Sequence, residues 1–250
     1  MNLGHEQQLP GGRAGAHSAD TDGLARLAAD AGKIIARYPQ PRSALLPLLH
    51  LVQSEQGCVS AAGIEFCAGR LGLTPAEVQA VATFHTMYKR RPVGEYYVGV
   101  CTTTLCAITG GDAIFAALSR HLGIGDGETT GDGKITLEHI ACNAACDYAP
   151  VVVIGWEFFD NMTPGHACRL VDDLRAGTPV WPTRGSGPLC TFKQTQRILA
   201  GFWDTQPSAD TSEGYGGEPT LAGLRLARRR GWHAPDPAGA HVSADGDGGT

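Results

Sequence analysis

The sequence predicts an α+β fold, in which a small helical bundle is followed by an α/β layer with a mixed sheet. Three observations predict it. Apolar residues recur at helical spacing throughout Asp22 to Tyr88; after Pro92 the period switches between that of strands and that of helices; and cap or turn residues stand at the junctions. The boundaries that follow are a tail over 1–20, a bundle over 21–92, an α/β domain over 93–181 and an extended C-terminal segment over 182–250.

The first helix is carried by Leu24, Leu27, Ala28, Ala31, Ile34, Ile35 and Tyr38, behind Thr21 and Asp22 as cap candidates and before Pro39. Leu45, Leu48, Leu49 and Val52 mark a second that Gly57 closes. Ser60 opens a third, which runs through Ile64, Cys67 and Leu71 to Gly72. Thr74-Pro75-Ala76-Glu77 combines a cap, a proline at the first helical position and a capping-box glutamate ahead of Val78, Val81, Ala82 and Met87. Beyond Pro92, Tyr96 to Val100 reads as a strand, Gly111 to Leu122 as a helix and Ile135 to Ala141 as a strand. Val151 to Ile154 and Glu157 to Phe159 flank Gly155-Trp156 as a hairpin, and Thr163-Pro164 caps a helix that runs to Gly177. The two ends of the chain are rich in small and polar residues, as tails are. Within the second, Leu221 to Trp232 has the pattern of a short basic helix bearing Arg225, Arg228, Arg229 and Arg230. It reads either as a solvated charge run or as a docking segment for an acidic partner.

Composition excludes several function classes. The chain has 250 residues, 42% of them apolar and 18% charged, which is a globular balance. A net charge of -5 removes the basic footprint that nucleic-acid binders need. The third and fourth helices could pass for a helix-turn-helix, but Thr74 to Tyr88 contains no Lys or Arg to meet phosphates. Unbroken apolar runs such as Val151 to Ile154 fall far short of the ~20 residues of a membrane span. The first residues offer neither a basic nor an apolar leader region, so a cytoplasmic location is the expectation. The Gly-rich stretch Gly123 to Gly133 follows a helix rather than a strand and carries Asp126, Glu128 and Asp132. It reads as a connecting loop that would repel phosphates, not a nucleotide cradle.

Chemistry is concentrated in the eight cysteines. In a reducing compartment, metal binding or redox chemistry is the expectation for them. Cys101-Thr-Thr-Thr-Leu-Cys106 and Cys142-Asn-Ala-Ala-Cys146 each leave the end of a strand, so four sulfurs converge if those strands are neighbours. Four thiolates suit a tetrahedral zinc or an iron-sulfur cluster. Zinc sites favour two residues between paired cysteines, whereas gaps of four and three fit the wider 2Fe-2S cluster better. A dithiol enzyme would use two intervening residues and leave the second pair idle. Burial as small hydrophobes fits Cys58, Cys67, Cys168 and Cys190, which are isolated, better than it fits the two tight pairs. His50, His85, His121, His139 and His166 are scattered, and a centre with two histidine ligands is disfavoured. Ala144, Ala145 and Thr102 to Thr104 are short enough for backbone to approach a cluster. Asp147 is placed to lower its potential.

From about Tyr38 to Arg175 the sequence resembles the thioredoxin-like 2Fe-2S subunit of bacterial NADH-quinone oxidoreductase, the E subunit of respiratory complex I, homologous to the mitochondrial 24-kDa subunit. The resemblance is carried by Ser43 to Val52, Val81-Ala-Thr-Phe84 with His85 and Met87, Val100-Cys-Thr-Thr, Gly127-Glu-Thr-Thr130 and Ala149-Pro150-Val151. It implies that Cys101, Cys106, Cys142 and Cys146 ligate one 2Fe-2S cluster in a thioredoxin-like domain. It also implies one-electron exchange with the flavin of an adjacent NADH-oxidising subunit, with FMN and NADH held there and not on this chain. The other peripheral-arm subunits would be further partners, with no independent catalysis, no nucleic acid and no membrane span. The location would be cytoplasmic, peripheral to the inner face of the membrane through the complex. Two departures are local: the family more often has Cys-Leu-Gly-Ala-Cys where this chain has Cys142-Asn-Ala-Ala-Cys146, and Asn-Ala-Pro where it has Tyr148-Ala-Pro. An equivalent subunit of an NAD-linked hydrogenase or formate dehydrogenase, and a zinc-stabilised scaffold module, are the alternative readings.

Overall fold

Caps and apolar stripes turn the first half into α1 (Ala28–Ile35), a 3-10 turn (Pro41–Ala44), α2 (Leu45–Gln56), α3 (Ala61–Leu71) and α4 (Pro75–Phe84). The structure, a computed structural model, describes residues 27–184, 187–203 and 217–233. The Ser60 hydroxyl accepts the Gly63 N–H at 3.1 Å, and Thr74 with Glu77 forms the capping box foreseen for α4. Gly57 ends α2 with φ 74°, a left-handed conformation that glycine adopts without steric cost. The stripes meet in one core where Ile34, Leu48, Leu49, Val52, Cys67 and Val78 are buried. Each large apolar side chain removed from water there contributes roughly 1.5–3 kcal/mol. Two ends differ from the sequence reading. The helix ahead of Met87 stops at Phe84 because His85 turns to extended backbone, and the proposed caps Thr21 and Asp22 lie outside the described residues.

The second half contains β1 (Tyr96–Cys101), α5 (Thr104–Thr109), α6 (Gly111–Leu122), β2 (Glu128–Thr129), β3 (Ile135–Ile140), a 3-10 turn (Cys146–Tyr148), β4 (Val152–Ile154), β5 (Glu157–Phe159) and α7 (Pro164–Ala176). The sheet order is β2-β3-β1-β4-β5, with β1 and β3 parallel and the other neighbours antiparallel. This is the mixed sheet that the sequence predicts. Strand alternation sends Val98, Val100, Val152 and Ile154 into the core with Ile114 of α6 and Val171 of α7. Cys101 and Val153, one residue out of phase, belong to a separate small cluster. Gly155 and Trp156, at φ 57° and 69°, form the two-residue turn of the β4–β5 hairpin. The sequence misses α5 and β2. Six residues are too few to show a helical repeat, and β2 is two residues inside the Gly-rich loop, held to β3 by Thr129 and Thr136 hydroxyls 2.7 Å apart.

The extended segment predicted over 182–250 is corrected where it is described, because α8 (Phe192–Leu199) and α9 (Glu218–Arg229) lie within it. Thr191 and Gln194 form a capping box for α8, whose Phe192, Thr195 and Gln196 are buried. The amide of Gln196 explains the docking of α8. Its Oε1 accepts hydrogen bonds from His50 Nδ1 at 2.7 Å and Gln53 Nε2 at 2.8 Å, both on α2. Gln53 Oε1 in turn accepts the Lys89 N–H at 2.5 Å. The chain divides into two units, Met1–Glu213 and Gly214–Thr250. The basic helix read from Leu221 to Trp232 is α9, in the second unit, with Arg225 paired to Glu218.

Candidate metal centre

The parallel pairing of β1 and β3 builds the site. Cys101 and Ile140 face each other at the last rung, so both strands deliver their following loops at one edge of the sheet. Cys101 closes β1, and its N–H donates to Val151 O at 3.1 Å. Cys106 lies on α5, the short helix that the sequence does not show. Cys142 stands two residues beyond β3, and Cys146 opens the following 3-10 turn. All four cysteines line one cavity, with Ile140, Val151 and Val153 as apolar wall. They stand as two pairs, Cys101 and Cys106 buried, Cys142 and Cys146 exposed. Two pairs of sulfurs on one cavity are the donor set that a 2Fe-2S cluster takes, two thiolates to each iron.

Close backbone approach keeps the pairs together. A Cβ on Gly111, the first residue of α6, would lie 2.4 Å from Cys101 O and 2.9 Å from Cys106 O, so α6 starts against the cysteine loop only because that residue is glycine. The Thr103 hydroxyl sits 3.0 Å from Cys101 Sγ, and the Ala144 N–H donates to Cys142 Sγ at 3.3 Å. That N–H, followed by the neighbouring Cys146 thiol, holds the Cys142 thiol below its ordinary range. Cys146 is raised, first by its bond with Cys142 at 3.3 Å, and burial pushes Cys106 up to about 11. Ala144 reaches its position at φ 60°, in the left-handed region that costs an L-residue roughly 1–2 kcal/mol. It stands where the resembling family more often has glycine.

Asp147 faces an arginine. Arg184 Nη2 lies 3.5 Å from Asp147 Oδ1, so the negative charge expected beside the site is paired. The isolated cysteines divide in two. Cys58 and Cys67 are buried packing residues as expected, with burial raising Cys67 to about 12, whereas Cys168 and Cys190 are only half-buried. None of His50, His85, His121, His139 and His166 lines the cavity. His50 is buried against Gln196; His139 stacks on Phe115 and meets the Thr102 hydroxyl at 3.1 Å; His121 pairs with Asp172. Sequence reasoning missed Gly111 and Arg184. The Gly110-Gly111 doublet before α6 was a visible signal for the first, and nothing in the local sequence marks the second.

Residues 31–175 match the family described as thioredoxin-like 2Fe-2S ferredoxin. The chain is 63% identical over 219 residues to the E subunit of NADH-quinone oxidoreductase from Mycobacterium tuberculosis (strain ATCC 25618 / H37Rv), covering 88% of this chain and 86% of that one. It is 39% identical over 150 residues to the mitochondrial NADH dehydrogenase (ubiquinone) flavoprotein 2 of Dictyostelium discoideum, covering 59% and 61%. Among solved structures, an NAD+-reducing NiFe hydrogenase in its H2-reduced state superposes with a TM-score of 0.50 at 23% identity, over 56% of this chain and 24% of that one. That likeness shows the fold.

Proposed function

Because the chain belongs to the thioredoxin-like 2Fe-2S ferredoxin family, we propose that Cys101, Cys106, Cys142 and Cys146 hold one 2Fe-2S cluster and that the chain carries single electrons as a subunit of an NADH-quinone oxidoreductase. The observation that carries this reading is the flush ending of β1 and β3, which places both cysteine pairs on one cavity. Such a cluster supplies a site that accepts and releases one electron at a time.

The chain's own residues set the conditions for that transfer. With a 2Fe-2S cluster bound, the four thiolates would share in a net negative charge that reduction would increase, so the burial of Cys101 and Cys106 would oppose reduction. Hydrogen bonds to sulfur offset that opposition. The Thr103 hydroxyl and the Ala144 N–H are the donors in place. Ile140, Val151 and Val153 keep water from the inner side. Cys142 and Cys146, on the exposed side, face the direction from which a redox partner must approach. The high identity to a quinone-linked relative over most of both chains favours that complex over a hydrogenase, for which the likeness is one of fold. The flavin and the nicotinamide would then sit on the adjacent NADH-oxidising subunit. Among the described residues no helix is long and apolar enough to cross a membrane, which fits attachment through partner subunits.

Association tests this assignment. The full chain, expressed with the flavin-bearing subunit of its own genome's enzyme, should co-purify with it, and the single chain should not oxidise NADH. NADH turnover by the single chain, or no association with that subunit, would contradict the assignment.

A further inference from the structure

Beyond residue 175, the last of the family match, the chain turns back and reaches the cysteine loop with one side chain. The Thr183 N–H and hydroxyl both donate to Phe158 O, at 2.9 and 2.8 Å, which ties this strap to β5. Arg184 then forks onto Asp160, with Nε to Oδ2 at 2.7 Å and Nη2 to Oδ1 at 3.0 Å. Its guanidinium lies 4.6 Å from the centre of the Tyr148 ring and 5.0 Å from that of Phe158, and Nη2 continues to Asp147. Tyr148 and Asp147 belong to the 3-10 turn that begins with Cys146.

We propose that Arg184 is a positioning residue of the electron-transfer site, one that clamps the Cys146–Tyr148 turn against β5 and places a positive charge where an added electron raises the negative charge. The role rests on the cluster reading given above. Three features make the charge effective. The bidentate fork fixes the guanidinium in place, as a lysine could not. The arginine and Asp160 side chains are only 20% and 7% exposed, so solvent screens them less than it would a surface pair. Asp147 directly follows Cys146 in the turn, so the carboxylate that Arg184 meets belongs to the residue next to a sulfur. Without Arg184, the Asp147 carboxylate beside Cys146 would lose its cationic partner at a site whose reduction adds negative charge.

Three variants of the full chain, purified anaerobically, separate clamping from charge: Arg184→Met, Arg184→Lys and Asp147→Asn. Each is assayed for iron and acid-labile sulfide and then titrated redox-potentiometrically by EPR. At a fixed ambient potential, Arg184→Met should lower the ratio of reduced to oxidised cluster about tenfold, equivalent to about 59 mV for one electron. Asp147→Asn, which removes no packing, should raise the ratio severalfold. Arg184→Lys should restore most of the ratio while losing iron to a chelator faster than the wild type, because the charge is kept and the fork is not. Wild-type potentials in iron-replete Arg184→Met and Asp147→Asn would overturn the role of Arg184 alone. If Arg184→Met does not fold, an unchanged potential in Asp147→Asn has the same force. No iron or sulfide in the wild-type chain would overturn the cluster reading, and this role with it.

Discussion

At the scale of residues, the cysteines sort by what surrounds them. Cys101, Cys106, Cys142 and Cys146 share a cavity, whereas Cys58 and Cys67 are enclosed by the bundle and its flank. Replacing any of the first four by Ala should abolish or badly destabilise the visible and EPR signals of the purified protein. Cys67→Ala should leave those signals unchanged and lower stability by about 1–2 kcal/mol through the small cavity it opens. Equal loss of signal from both groups would show the sorting to be wrong. That these four cysteines come together was legible in the sequence because paired spacing at strand ends is a local signal. Arg184 was not, since its partners Asp147 and Asp160 are 37 and 24 residues away in sequence and nothing local marks a contact of that span. Ala144 shows the limit from the other side. Its departure from the family pattern can be read directly, but only the backbone shows that it falls on a left-handed position.

At the scale of elements, caps explain what the sequence predicts well. Gly111 to Leu122, between Gly110 and Gly123, and the helices from Ser60 to Gly72 and from Thr163 to Gly177 are bounded by residues whose side chains or φ angles fix the terminus. Elements too short to show a repeat, α5 and β2, were invisible. The C-terminal helix α8 was hidden for a different reason: its polar composition reads as tail, yet its buried Gln196 is held by His50 and Gln53 in a network that only tertiary structure assembles. Burial of the His50 ring beneath α8 makes the fold sensitive to acid. Burial lowers the pKa of His50 from its ordinary 6.5, against the smaller opposing effect of the Gln196 bond and with some help from His85; Tyr88 also packs against the ring. A base depressed in the folded state contributes stability that is complete above about pH 6.5 and is lost as pH falls toward the folded value. The unfolding free energy from denaturant titrations should therefore fall on the acid side of 6.5, by at most about 1.4 kcal/mol per pH unit from this group, and His50→Gln should flatten that dependence. An acid slope of equal size in the variant would assign the effect to other groups.

At the scale of the whole molecule, one core holds the bundle and another joins the sheet to α6 and α7, while the cysteine cavity forms a third, small cluster at the end of β1. The two-part α+β plan was legible because the apolar period changes near Pro92, and a change of period needs no tertiary knowledge to be seen. The closing of the bundle by α8 was not, because the elements it joins are more than a hundred residues apart. The sheet's part in function is to bring two distant cysteine pairs to one edge, and the most direct test asks what they hold. Iron, zinc and acid-labile sulfide should be measured on the anaerobically purified full chain, together with the EPR spectrum after reduction. About two irons and two sulfides per chain, no stoichiometric zinc and the signal of one unpaired electron are the predicted result. Stoichiometric zinc without iron, or iron without labile sulfide, would contradict the account.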